Sequence, residues 1–165
     1  MPEQYRVRLF KPNLVFSAAH FITFNGDVCE RLHGHNYRVA ATIHGELDEN
    51  YYVIDFIALR DSLAAIVAEL DHHMLLPTKH RTIHVQADEH EVEVTHEDRR
   101  WVFPRGDCIL LPVENTTAEL LARHIGGQLL DAITEKTGLC PAKLVVEVDE
   151  NGGQWGVCEV TRPSL

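Results

Sequence analysis

The chain of 165 residues is short of basic charge, of paired cysteines and of long apolar runs. Lys and Arg number 15 against 25 Asp and Glu, a formal net charge of −10. No basic surplus is available to neutralise phosphates, which excludes a general nucleic-acid or anionic-membrane binder but not a local basic pocket. The opening segment, Met1 to Lys11, is polar and alternating, without the apolar stretch of a signal peptide. Unbroken apolar runs such as Leu63 to Ala68 are too short to span a bilayer. Cys29, Cys108, Cys140 and Cys158 are scattered, with no C-x-x-C pair and no small-protein disulfide density. Neither a G-x-G-x-x-G nor a G-x-x-x-x-G-K-S/T phosphate loop occurs. The expectation is a cytoplasmic chain with free thiols and no nucleic-acid or membrane partner.

What is present is ordinary in bulk and unusual in detail. Hydrophobic residues make up 45% and charged residues 24%, as in a soluble globular protein. At about 150 residues per domain, the length predicts one domain with a real core. The unusual feature is the eleven histidines. As a count they mean little, because solvated, core and metal-ligating histidines are all common.

Periodicity predicts the elements. Tyr5, Val7 and Leu9 alternate with arginines, and Val15 to His20 reads as a second strand. Asn25-Gly26 signals a turn in the loop from Phe24 to Arg31, and Tyr37, Val39, Ala41 and Ile43 alternate up to Gly45. Phe56, Leu59, Leu63, Ile66, Val67 and Leu70 fall at helical spacing behind Asp55, a cap candidate. A second helix is predicted from about Thr117 to Lys136, capped by Thr116 or Thr117 and ended by Gly138. Between the helices, Thr78 to Leu111 reads as an inserted β-hairpin with a third strand. Leu144 to Val148 and Trp155 to Val160 form a closing hairpin across Asn151-Gly152-Gly153. The fold class is therefore α+β, built on an antiparallel sheet.

The candidate chemistry begins with His33-Gly34-His35. Residues i and i+2 of a strand point to one face, so both imidazoles can reach one ion. His20 ends a strand that could pair with theirs, and three histidines with an open fourth position form the catalytic zinc pattern. His-x-His pairs also occur as solvated strand residues, and the spacing alone leaves that alternative open. Cys29 lies four residues before His33. Near such a site its thiol pKa would be lowered, giving a thiolate usable as base or nucleophile, whereas a free cysteine elsewhere is commonly a small buried apolar residue. Cys108, Cys140 and Cys158 have no comparable neighbours and are read as structural. Asp71-His72, in the turn after the first helix, could act as an oriented proton relay or sit there as loop residues. Glu119 in the first turn of the second helix and Glu150 at a strand end have bland explanations of their own.

Taken in order, Phe16-Ser17-Ala18-Ala19-His20, Cys29-x-x-x-His33-Gly34-His35-Asn36-Tyr37, Ile54-Asp55-Phe56, Leu70-Asp71-His72, Thr116-Thr117-Ala118-Glu119 and Val146 to Glu150 resemble the 6-pyruvoyl-tetrahydropterin synthase family, which includes the bacterial 6-carboxytetrahydropterin synthases of queuosine biosynthesis. The resemblance implies a tunnel fold: an antiparallel sheet with two helices on one face, sheets joined into barrels in a homo-oligomer, usually a hexamer of two stacked trimers with active sites between subunits. It implies Zn2+ on His20, His33 and His35, Cys29 as catalytic cysteine, and Asp71 with His72 completing a catalytic triad. Glu150 would bind the pterin's amino-pyrimidine edge, with Glu119 and Thr117 lining the pocket. The implied substrate is 7,8-dihydroneopterin triphosphate. The three-residue gap between Cys29 and His33 is similar to the 6-carboxy group, so the product expected is 6-carboxytetrahydropterin. The alternatives are the 6-pyruvoyl reaction on the same substrate and a non-catalytic zinc- or pterin-binding protein of the same fold.

Overall fold

In the computed structural model, which describes residues 3–161, the alternation of the first twenty residues builds one long strand, β1 (Tyr5–His20), where the sequence suggested two. Its register slips between Phe10 and Val15. The exposed Lys11-Pro12-Asn13 lies there, and a proline cannot donate to a ladder, so the pattern breaks while the strand continues. A small hairpin follows, β2 (Thr23–Phe24) and β3 (Val28–Cys29), turned at the expected Asn25-Gly26, whose φ values of 45° and 90° suit those residue types. β4 (His33–Gly45) then runs back along β1, pairing His20 with His33 and Tyr5 with Gly45.

Helix α1 (Phe56–Leu70) starts at Asp55, whose carboxylate accepts from the Ile57 N–H at 2.7 Å, as its cap role requires. Helix α2 (Ala118–Thr137) stops at Gly138, where a φ of 71° is natural to glycine. Thr117 occupies its N-cap position without a side-chain hydrogen bond. Both helices lie against one face of the sheet. Leu59, Leu63, Leu121, Ile125 and Leu129 meet Phe16, Tyr37, Ile43, Leu144 and Val146 in a single buried cluster. The closing hairpin is β10 (Lys143–Asp149) and β11 (Trp155–Thr161). Gly156 on β11 lets the first turn of α2 sit directly on the strand: a Cβ there would lie 2.5 Å from the Ala118 carbonyl carbon and the Glu119 nitrogen.

The middle of the chain departs from expectation in two respects. β5 (His73–Pro77) follows α1 directly, and β6 (His84–Ala87), β7 (Glu91–His96) and β8 (Arg99–Pro104) form a separate three-stranded sheet. β9 (Cys108–Leu111), placed by its sequence at the end of the insertion, belongs instead to the main sheet, whose order is β11-β10-β4-β1-β5-β9. β1 with β5 and β5 with β9 are parallel pairs, so the sheet is mixed rather than purely antiparallel. Both faces of β5 are covered: Leu75 belongs to the helix-side cluster, and Met74 and Leu76 to a second cluster with Phe21, Val92 and Val94. Double coverage replaces alternation by the continuous run Met74-Leu75-Leu76. That second cluster is what docks the inserted sheet. Among the described residues, no helix is long and apolar enough to cross a membrane.

Candidate metal centre

Register alone assembles the first part of the site. His20 pairs with His33 and Ala18 with His35 across β1 and β4, so the three imidazoles share one face. One ligand-type nitrogen from each lies within 4.8 Å of the others. Gly34 is required between them, since a Cβ would stand 3.0 Å from the Ala18 carbonyl oxygen. His20 is wholly buried, with Nδ1 2.9 Å from the Thr116 carbonyl. His33 Nδ1 lies 2.9 Å from the Arg31 carbonyl. A carbonyl only accepts, so a neutral ring must carry its proton on Nδ1 in both cases. Nε2 is left with a free lone pair, the arrangement of a metal-ligating histidine held by an outer partner. His20 Nε2 is buried with no hydrogen bond. An orphaned buried nitrogen is costly unless something binds it, and three converging imidazoles suit a divalent transition ion. The residues present therefore fit a metal.

Glu150 completes that face. Its Oε1 stands 3.3 Å from His20 Nε2 and 3.6 Å from His35 Nε2. Where His20 is protonated, its hydrogen bond and charge, with His35 and His33 beyond it, hold the Glu150 carboxyl below the usual carboxylate range. Burial pushes the His35 imidazole below its ordinary value, which favours the neutral, ligating form. The turn carrying Glu150 is braced by the adjacent Asp149. Buried, this carboxylate accepts from Arg38 Nε at 2.9 Å, Gly153 N at 2.8 Å and Gln154 N at 3.0 Å.

The other expected residues are placed differently. Asp71 and His72 do form a pair, with His72 Nδ1 2.8 Å from Asp71 Oδ2. The Ser17 N–H donates to Asp71 Oδ1 at 2.7 Å, and the His72 N–H to the Ser17 carbonyl at 2.6 Å. The first of these bonds, with His72 second, lowers the Asp71 carboxyl. His72 borders a cleft of about 540 Å³ with Ser17, Ala19, Gly34 and Asn36, which alternate with the triad along their strands, and with His35 of the triad itself. By register, the pair hangs at the level of Ser17, whose side of β1 alternates with that of His20. Burial raises the Cys29 thiol, with the Arg99 guanidinium opposing. Sγ lies 3.5 Å from the Glu30 carbonyl. Glu119 is exposed and Thr117 half-buried; it is the neighbouring Thr116 whose carbonyl meets the triad.

One residue escaped the sequence reading. Glu30 Oε2 accepts from the Ile22 N–H at 3.1 Å and stands 3.9 Å from His33 Nδ1, at the edge of the triad. Its position next to Cys29 and three before His33 was the available signal.

The fold and these side chains define an α+β protein with a three-histidine metal-binding constellation at the end of its two central strands. The chain belongs to the 6-pyruvoyl tetrahydropterin synthase family, whose model matches residues 11–160. A Methanocaldococcus jannaschii protein, provisionally named a 6-carboxy-5,6,7,8-tetrahydropterin synthase, is 32% identical over 88% of each chain. A Pyrococcus furiosus dihydroneopterin monophosphate aldolase is 37% identical over 60 residues, 36% of this chain and 50% of that one. Among solved structures, 6-pyruvoyl tetrahydropterin synthase from Plasmodium vivax superposes with a TM-score of 0.89 at 29% identity, covering 98% of this chain and all of that one. A variant of the P. vivax enzyme in which a glutamate, described as a catalytic residue, is changed to alanine matches with a TM-score of 0.88 at 28% identity over the same 98% and 100%.

Proposed function

We propose that the protein is a zinc-dependent pterin lyase that takes 7,8-dihydroneopterin triphosphate, eliminates triphosphate and cleaves the side chain to leave 6-carboxytetrahydropterin. The observation that carries this reading is the buried His20, whose Nε2 converges with His33, His35 and the Glu150 carboxylate, in a chain of this family. A zinc ion held by the three histidines would polarise the substrate's side-chain hydroxyls and acidify the adjacent C–H. The protein's own groups do the rest. Glu150 accepts two parallel N–H bonds from the amino-pyrimidine edge and so fixes which end of the pterin faces the triad. Thr117 and Glu119 line the same pocket from the start of α2. Cys29 accepts a proton from the activated carbon, and His72, oriented by Asp71, serves the opposite side.

The pair hangs at Ser17, a level of β1 that alternates with the triad, and in this reading it serves the triad of a neighbouring copy. The working unit is then a homo-oligomer, a hexamer of two trimers in this reading, whose joined sheets also cover otherwise open strand edges. Soluble, cytoplasmic action on a small pterin, without nucleic acid or membrane, is consistent with the acidic composition.

A second reading is favoured by Glu30. Its carboxylate stands at the edge of the triad, whereas the Cys29 thiol lies against the Glu30 backbone carbonyl. The likeness to an aldolase and to an enzyme with a catalytic glutamate points the same way. With Glu30 as base, the dihydroneopterin side chain breaks by retro-aldol cleavage.

Incubating the zinc-loaded protein with 7,8-dihydroneopterin triphosphate separates these reactions. Triphosphate with acetaldehyde is the expected result. Triphosphate without acetaldehyde makes it a 6-pyruvoyl enzyme, and a two-carbon aldehyde still carrying the triphosphate, left with a hydroxymethyl pterin, makes it an aldolase. No turnover with zinc bound leaves a zinc- or pterin-binding protein and overturns the enzyme reading.

A further inference from the structure

The inserted sheet reaches the loop that carries the two candidate bases. His96 and Arg99 face each other across the tight turn between β7 and β8, where Glu97 has a φ of 53°. From that turn, Arg99 Nη1 donates to the Cys29 carbonyl at 2.9 Å and to the Glu30 carbonyl at 2.8 Å. Two consecutive carbonyls bound by one guanidinium nitrogen fix the peptide between them, and with it the directions in which both side chains leave the backbone. The guanidinium is itself held: its carbon lies 4.5 Å from the Trp101 ring centroid, a cation–π distance. Trp101 stacks on Phe21 with centroids 4.6 Å apart and planes 20° from parallel. Phe21 is buried and follows His20 directly in β1's chain.

An uninterrupted set of contacts therefore runs from the residue after the first triad histidine, through Trp101 and Arg99, to Cys29 and Glu30. Cys29, His96 and Arg99 also border one cleft of about 460 Å³. The rest of the loop is held by the small hairpin, by Arg81 donating to Asp27 Oδ1 and the Gly26 carbonyl, by Asn115 Nδ2 donating to the Thr23 carbonyl, and by the Glu30–Ile22 pairing. The Glu30 N–H donates to the Ile22 carbonyl at 2.9 Å, and the Glu30 carboxylate accepts from the Ile22 N–H at 3.1 Å.

We propose that Arg99 is a positioning residue that sets the Cys29–Glu30 segment relative to the three histidines, and that the inserted sheet exists in the catalytic apparatus as the support for this arginine. The inference rests on the reading that Cys29 or Glu30 acts on a pterin. It adds a role that neither the histidine spacing nor the cysteine position contains. Arginine is suited to it because its planar fork binds two acceptors while its face stacks on an indole; lysine offers a point charge with neither property.

The test compares Arg99→Met and Arg99→Lys with the unaltered chain, each zinc-loaded. The readouts are kcat and KM on 7,8-dihydroneopterin triphosphate, bound zinc, thermal unfolding, and the iodoacetamide rate at each cysteine resolved by mass spectrometry. The expected result for Arg99→Met is a kcat about tenfold to a hundredfold lower, KM within about threefold, and an unchanged zinc content. Because Arg99 also favours the Cys29 thiolate, the rate is taken per thiolate from its pH dependence; on that scale Cys29 should alkylate about fivefold faster as the loop loosens, with the buried Cys108 unaffected, and Arg99→Lys should recover part of the loss in kcat. A folded, zinc-loaded Arg99→Met with unchanged kcat overturns the proposal. If even the unaltered chain does not turn over the pterin, the proposed function has failed. The thiol rates then decide alone, and an unchanged Cys29 rate overturns the positioning role.

Discussion

The two histidine groups anchored on β1 are built in opposite ways. His20, His33 and His35 sit on the helix-covered face, with His20 wholly buried and two rings tied at Nδ1 to backbone carbonyls. Asp71 and His72 hang from the same strand at Ser17, a level that alternates with the triad, with 81% of the His72 side chain exposed and a backbone φ of 60°. The first group is assembled within one chain. The second is pre-formed as well, at the border of an open cleft. A left-handed φ on a non-glycine residue costs energy, and it persists here because the Ser17 carbonyl and the Asp71 carboxylate both hold His72. In the proposed reading, the contrast separates what a subunit does alone, which is bind metal, from what needs a neighbour, which is move protons.

The sharpest way to break that contrast is at the metal. His33 is the most exposed triad member, so His33→Ala removes a ligand with little damage to the core. Zinc measured by atomic absorption should fall from one ion per chain to a small fraction, and turnover should drop by roughly a thousandfold or more. Chelation of the unaltered protein should do the same and reverse on adding zinc. Retained zinc in His33→Ala would remove the three-histidine assignment.

Next in size are the proton-handling groups. Cys29→Ala and His72→Ala should each lower kcat by about 10²–10⁴-fold while zinc stays bound. If the site is shared, mixing the two inactive variants after mild dissociation should restore a measurable part of the activity, because some sites then combine an intact Cys29 with an intact His72. No recovery in mixed oligomers confirmed by mass spectrometry would confine the site to one chain and remove the shared site as the reason for assembly.

Particular elements show how far the sequence could be read. The triad was legible because strand geometry has a period of two, so His33-Gly34-His35 already specifies a shared face, and His20 follows once β1 and β4 pair. Both helices and the Asn25-Gly26 turn were legible from period and caps. The continuity of β1 was not, because Lys11-Pro12-Asn13 interrupts the alternation without ending the strand. Nor were β5 and β9: strands buried on both faces lose the alternation that would announce them, and Met74-Leu75-Leu76 could equally sit in a helix. Asp71-His72 was recognised as a pair, but which face it would serve depends on the edge along which β5 joins β1, a non-local fact. The Arg99 contact lies 70 residues from Cys29 in sequence, beyond any local pattern. Glu30 was adjacent to everything noticed and still missed, because a glutamate beside a cysteine carries no periodic signature.

The smallest expected effect probes how His72 is held. The Asp71 carboxyl is lowered in the folded chain, chiefly by the Ser17 N–H and then by His72. A group with a depressed folded value binds protons more readily when unfolded. Its contribution is therefore fully present above the ordinary aspartate range and is lost as pH falls through the folded value. Asp71→Asn should accordingly lower Tm at neutral pH, and the gap from the unaltered protein should close below the ordinary aspartate range. Solvent reaches this pair, so screening limits the neutral-pH difference to about 1–2 °C. The activity loss in the same variant should be far larger, because an amide can still accept from Ser17 but no longer offers His72 a charge to orient and stabilise its protonated form. A Tm gap that persisted undiminished in acid would mean that Asp71 acts through its shape rather than its charge, and the relay assigned to the Asp71–His72 pair would fall with it.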